Sequence, residues 1–228
     1  MQNGVDESLA LRLDCDAPAE GGEPGPWKLI RIVERLGAAL MLLICAPGLL
    51  LASAAIIWLS RRSPVVAHRR IGQGGRDIWV LKLRTMWSNP HPQWTIWPFV
   101  ERIATGIVPD VKQRVDARVS SRFAAFCRKY SIDETPQLWH VLRGEMSLVG
   151  PRPLTPAELV KYYGRDRSYL LSVRPGITGL WQVKGRSRLT YPQRRRLDLF
   201  MIRHWSVGLY ATILKATLPR VLTGKDAW

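Results

Sequence analysis

The chain has 228 residues, 46% of them hydrophobic, and a formal net charge of +16, which leaves room for one compact domain plus accessory segments. Its three cysteines, Cys15, Cys45 and Cys127, are odd in number and scattered, which argues against a disulfide framework and for a reducing compartment. None of His68, His91, His140 and His204 stands at ligand spacing to a cysteine, so a zinc site is not expected.

Residues 1–26 hold six acids and one base, Arg12, together with several Gly and Pro, and are expected to be a disordered acidic tail. They lack the basic start and apolar run of a signal peptide. The remainder carries 33 bases against 12 acids. Such a surface suits phosphate-rich partners: nucleic acid, anionic lipid or a phosphorylated substrate.

Next comes "LGAALMLLICAPGLLLASAAIIWL", Leu36 to Leu59, a run of 24 residues with no charge. It is long enough to cross a bilayer as a helix. Core helices of soluble proteins rarely stay apolar all round for so long. Both flanks are basic: Lys28, Arg31 and Arg35 precede it, and Arg61, Arg62, Arg69 and Arg70 follow. A simple span should be basic on its cytoplasmic side alone. Pro47, at the middle, removes one helical hydrogen bond and favours a kink. Two arrangements fit these residues, a helix that re-enters the same leaflet and a Pro-kinked span.

"SPVVAHRRIGQGGRDIWVLKLRTM" (Ser63–Met86) reads as a β-hairpin, with "GQGG" as its turn. Strand alternation puts Ile78, Val80, Lys82 and Arg84 on one face and Trp79, Leu81 and Leu83 on the other. Lys82 and Arg84 thus form either a phosphate-facing pair or a solvated edge. Residues 88–112 show no period and are expected to be an irregular insertion near the membrane surface, with Trp94 and Trp97. A helix is expected from Asp116 to Lys129, bringing Arg118, Arg122 and Arg128 towards the next segment.

That segment is "YSIDETPQLWHVLRGEMSLVGPRP" (Tyr130–Pro153), where Asp133 and Glu134 stand side by side. Thr135 suits an N-cap and Pro136 the first helical position, so a short helix should run from there to Gly144. Acids just outside a helix N-terminus complement its dipole, which would explain them without any chemistry. Arg128, Arg143 and Arg152 point further, because a carboxylate beside arginines should stay ionised with a lowered pKa. The same arginines can hold phosphates. A divalent cation reconciles carboxylate and phosphate, and Mg²⁺ favours one or two carboxylates plus phosphate oxygens. One acid can then hold the metal while the other attacks phosphorus. Downstream, "RPGITGLWQVKGR" (Arg174–Arg186) reads as a turn and a short strand. Leu197–Leu222 reads as amphipathic helix, broken near Ser206–Gly208, either lying in the membrane interface or packed on the core.

"SIDETPQLWHVLRGEMSLVGPRP" resembles the core signature of the bacterial sugar transferases, the monotopic phosphoglycosyl transferases. "KLRTM" (Lys82–Met86) and "RPGITGLWQVKGR" resemble that family's other two motifs, in the usual order, and the likeness covers about residues 28–222. It implies an α+β, mainly helical fold with an N-terminal re-entrant membrane helix (27–62), a small hairpin, interfacial amphipathic helices and a cytoplasmic catalytic domain (63–228). It also implies transfer of a sugar-1-phosphate from a UDP-sugar to polyprenyl (undecaprenyl) phosphate at the cytoplasmic face of the bacterial inner membrane, initiating a polysaccharide or other glycoconjugate. Asp133 corresponds to the nucleophile and Glu134 to the Mg²⁺-associated acid, while Lys82, Arg84, Arg118, Arg128, Arg152, Arg174, Gln182 and Arg186 are the candidate substrate- and phosphate-binding residues. The expected partners are UDP-sugar, polyprenyl phosphate and membrane lipid. A nucleic-acid binder would not need paired acids beside its arginines, so none is expected. A homodimer stays open. The chain departs from the family at Ala46-Pro47, where Ser-Pro is usual, at Glu34 and Tyr210, where aspartates are usual, and at His140, where asparagine is usual. These departures put secondary contacts in doubt.

Overall fold

The computed structural model describes residues 25–87, 91–104, 121–185 and 188–224. The acidic tail before Gly25, Asp116–Ser120, and the predicted site residues Arg118 and Arg186 lie outside the described residues.

Helix α1 (Gly25–Ser60) is one continuous helix that carries Pro47 inside it. At about 1.5 Å per residue it is about 54 Å long, well beyond the hydrocarbon core of about 30 Å. It is long and apolar enough to cross a membrane, and only 11% of its most apolar window is buried, which is unlike a soluble core helix. The buried positions form a stripe: Glu34, Ala38, Ala52, Ser53, Ile56 and Ser60, with Trp27, Ile30, Leu42, Leu49 and Leu59 half-buried between them. Helical spacing puts all of these on one side. The other side is apolar and exposed, from Leu29 through Leu36, Leu43 and Leu51 to Trp58.

The expected hairpin forms from β1 (Val65–Ile71) and β2 (Asp77–Leu83), antiparallel and joined through Gly74 at φ 65, a value that favours glycine. A third strand, β3 (Val100–Ile103), pairs parallel with β1. This corrects the reading of 88–112 as wholly irregular. The region has no sequence period, yet four of its residues complete the sheet edge. Helix α2 (Arg122–Lys129) starts after Ser121, whose hydroxyl accepts from Ala124 N and caps it.

A tight turn (Ile132–Gln137) leads into α3 (Leu138–Arg143), which ends on left-handed Gly144 as expected. Strand β4 (Ser147–Val149) pairs parallel with β5 (Gly176–Thr178). Between them lie α4 (Pro156–Glu158), continued by the wider turn Leu159–Tyr163, and α5 (Arg167–Leu171). After β5 comes a short helix, α6 (Leu180–Lys184), which the turn-and-strand reading did not include. Two longer helices follow, α7 (Tyr191–Arg203) and α8 (Val207–Thr223), separated close to the expected break. One face of α8, with Tyr210 and Ile213, packs on Val149 and Met201 and on Trp27 and Ile30 of α1. The fold is α+β and mainly helical, as the sequence implies.

Candidate active site

Three connections assemble the site. Ile71 N donates to Leu154 O at 2.9 Å, tying the end of β1 to the "GPRP" loop. Gly150 N donates to Thr178 O and Gly176 N to Pro151 O, each at 2.8 Å, tying the same loop to β5. A Cβ on Gly176 would collide with the Gly150 backbone, so the two motifs meet only because both residues are glycine. Finally, Leu81 N donates to His140 Nε2 at 3.2 Å, joining β2 to α3, while His140 Nδ1 pairs with Glu145 Oε2 at 2.6 Å. His140, where the family usually has asparagine, therefore cross-links β2 to α3.

The acids do not precede a helix capped by Thr135. They occupy the first turn of the tight helix Ile132–Gln137, entered through Ser131 at φ 57. The left-handed Ser131 redirects the chain from α2, so the turn starts four residues earlier than the Thr-Pro signal indicates. Asp133 is buried, at 7% exposure, and Glu134 is half-buried. Lys82 Nζ meets Glu134 Oε1 at 2.6 Å, and Arg152 Nη1 lies 3.9 Å from the same oxygen. Lys82 and Arg128 both act electrostatically on Asp133.

The expectation of a lowered Asp133 pKa is overturned. Burial comes first among the causes and pushes its carboxyl above the usual range, the neighbouring Glu134 adds to this, and Lys82 and Arg128 only oppose it. Counting arginines in a sequence omits desolvation, which is the larger effect here.

Of the predicted residues, Lys82, Arg128 and Arg152 converge on the two acids. Arg84 is buried and held elsewhere: its Nη2 donates to Glu101 Oε2 at 2.5 Å and its Nε to Ser63 O at 2.7 Å. The acid that engages it comes from β3, the strand that sequence reasoning missed. Arg143 pairs with Glu145 at 3.0 Å. Gln182 donates to Ile177 O at 2.9 Å and braces the β5–α6 turn. Arg174 lies within electrostatic reach of Glu34 and Arg35 on α1, with its pKa lowered by burial and then by Arg35. Glu34 itself accepts from Ser147 Oγ, Leu148 N and Tyr210 Oη at 2.5, 2.7 and 2.6 Å. The two positions that depart from the family's aspartates thus bond to each other, anchoring α1 to the strand before the "GPRP" loop.

Sequence reasoning passed over His68, Arg70 and Arg194, which surround Arg152 electrostatically. The hairpin register was the available signal for the first two. Among the described residues no group of three or more His, Cys, Asp or Glu gathers to hold a metal. The two adjacent carboxylates still fit Mg²⁺, which needs one or two and takes its remaining ligands from phosphate and water.

A family model described as "Bacterial sugar transferase" matches residues 26–224. Among curated proteins, the chain is 38% identical over 208 residues to "UDP-galactose-lipid carrier transferase" of Erwinia amylovora, covering 88% of this chain but 42% of that protein. It is 35% identical over 206 residues to "Exopolysaccharide production protein ExoY" of Rhizobium meliloti (strain 1021), covering 87% of each. It is 38% identical over 207 residues to "UDP-glucose:undecaprenyl-phosphate glucose-1-phosphate transferase" of Caulobacter vibrioides (strain ATCC 19089 / CIP 103742 / CB 15), covering 87% of this chain and 71% of that one. The chain spans less than half the length of the Erwinia relative and most of the length of the other two.

Proposed function

The chain belongs to the bacterial sugar transferase family, and from that premise we propose that it transfers a sugar-1-phosphate from a UDP-sugar to a polyprenyl phosphate, through a covalent intermediate on Asp133. Two of the relatives carry a UDP-sugar in their names, and one of these names undecaprenyl phosphate as acceptor. The observation that carries the covalent step is the burial of Asp133 beside Lys82 and Arg128. Burial strips water from the carboxylate and makes it more basic, hence a stronger nucleophile, while the cations keep an ionised form accessible. In the first step an Asp133 oxygen bonds to the phosphorus that bears the sugar, and the nucleoside monophosphate leaves. In the second, a polyprenyl phosphate oxygen attacks the same phosphorus and Asp133 is released. Lys82 and Arg152 stand where they can stabilise charge on the transferring phosphoryl group. When bound, Mg²⁺ held by Glu134 and phosphate oxygens would neutralise charge between substrate and carboxylates.

The acceptor is a membrane lipid, and α1 supports a membrane-surface arrangement. Its buried stripe runs the length of the helix against the same body that holds the acids, so its opposite, apolar side is left to meet lipid. A crossing helix would drag that charged body into hydrocarbon. On this reading both ends of α1 stay on one side of the membrane and the catalytic body lies in the cytoplasm. The test of the chemistry is mass spectrometry of the detergent-solubilised chain incubated with a panel of UDP-sugars and no lipid. A sugar phosphate on the Asp133 peptide is expected; turnover with no such adduct, even on rapid quenching, would replace the two-step route by direct attack of the lipid phosphate.

A further inference from the structure

The sheet register brings a second set of side chains to the face that carries Lys82. Cross-strand partners share a face, and the register pairs Val66 with Lys82, His68 with Val80 and Arg70 with Ile78. His68 and Arg70 therefore stand about 7 Å and about 14 Å along the strand from the level of Lys82, at about 3.4 Å per residue. Arg152 flanks this row: it lies 3.9 Å from Glu134, and Leu154, two residues on, bonds to Ile71 beside Arg70. Beyond it, the Arg194 guanidinium lies over the rings of Trp181 and Tyr191, 4.7 and 4.9 Å from their centroids, and its Nε is buried without a hydrogen-bond partner.

These cations are poorly neutralised. Among the described residues Arg70 makes one side-chain hydrogen bond, to Arg69 O, and no ion pair. The carboxylate within reach of both Arg70 and Arg194 is Glu158. It is already engaged by Thr155 N, Thr155 Oγ1 and Tyr191 Oη. Burial and then Arg70, Lys82 and Arg152 push the His68 pKa down to about 4, so the imidazole is neutral at pH 7. Burial and then Arg152 push Arg70 down to about 10. The carboxylates near these three guanidiniums, Glu158, Glu134 and Asp198, are each engaged by other donors, so the guanidiniums are costly to hold together unless an anion joins them.

We propose that Arg70, Arg152 and Arg194, with neutral His68, form the subsite for the phosphate of the departing nucleoside monophosphate. This rests on the transferase reading above. As the Asp133 oxygen–phosphorus bond forms, the bond from that phosphorus to the oxygen bridging to the nucleotide breaks. The electron pair stays on the bridging oxygen, which becomes a terminal oxygen of the nucleoside monophosphate. No proton is required, so a neutral His68 suffices as a hydrogen-bonding group, and the positive charge of the arginines stabilises the departing oxygen. The row begins beside Lys82 and Glu134, where the transferring phosphoryl group sits, and continues away from it, as the second phosphate of a diphosphate must.

The test uses the full chain in detergent, with UMP as the probe. Arg70→Gln and Arg194→Gln are expected to weaken UMP binding by calorimetry at least about tenfold and to slow single-turnover labelling by UDP-sugar similarly. Arg70→Lys and Arg194→Lys keep the charge and should recover part of the binding, which guards against a folding defect. Unchanged UMP affinity in the Gln variants, or labelling at the wild-type rate, would overturn the subsite. Tight UMP binding by a wild-type chain that never becomes labelled would instead sink the covalent reading and keep the subsite.

Discussion

Asp133 and Asp198 are both buried carboxylic acids, and they differ in their surroundings. Around Asp133 stand Lys82, Arg128 and Glu134, in a turn beside the sheet face that carries Lys82. Asp198, on α7, is 1% exposed; one oxygen accepts from Tyr163 Oη at 2.6 Å and the other has no hydrogen-bond partner. Burial pushes Asp198 up to about 7, with Tyr163 and Arg194 opposing. Desolvation raises both acids. What separates the two is the set of cations around Asp133, which opposes the effect of burial and on which its proposed role as nucleophile rests.

The largest effect should come from Asp133→Asn. It keeps the shape and removes the nucleophile, so turnover should fall by at least about a thousandfold and labelling by UDP-sugar should vanish. Asp198→Asn should retain labelling; loss of labelling in both, with folding intact, would erase the distinction between the two acids. The second effect is on stability. The folded-state pKa of Asp198 is raised from its ordinary value of 3.8 to about 7, so its contribution is fully present below pH 4 and is lost as pH rises through 7. The wild type should therefore lose up to about 4 kcal/mol relative to Asp198→Asn between pH 4 and 7, at about 1.4 kcal/mol per pKa unit. Urea midpoints at pH 4.5 and 7.5 would measure this, and parallel pH profiles would show that Asp198 titrates normally.

Smaller again is Glu134→Gln. It removes the partner of Lys82 and the proposed Mg²⁺ ligand, and should cost about a hundredfold in rate while weakening the response to added Mg²⁺ after EDTA treatment. Full activity of the wild type in EDTA would remove the metal from the mechanism. The mildest change is Tyr210→Phe, which takes one of three hydrogen bonds from Glu34 and should cost about 1–2 kcal/mol of stability. A thermal shift indistinguishable from zero would mean that the α1 anchor does not depend on it.

Part of this molecule was legible residue by residue. The hairpin followed from alternation and a glycine turn, the apolar helix from length and lack of charge, and the end of α3 from Gly144. The approach of Lys82 to Glu134 was half legible, because strand alternation gave the face but not what it faced. Arg84 was misleading: it shares that face, yet Glu101 from an unpatterned strand holds it. The break between α7 and α8 was legible; the capping of α2 by Ser121 and the start of the turn at Ile132 were not, since tertiary contacts competed with local cap signals.

By itself the sequence determined the family, the adjacency of the two acids, the membrane-length helix and the basic excess, because each is written in neighbouring residues or in local periodicity. Only the tertiary structure decided the protonation tendency of Asp133, the engagement of Arg84 by Glu101, the Glu34–Tyr210 bond across the length of the chain, and the assembly of His68, Arg70, Arg152 and Arg194. The physical reason is that burial and charge pairing depend on which distant segments meet, and desolvation outweighs the attraction of charges that a linear reading can count.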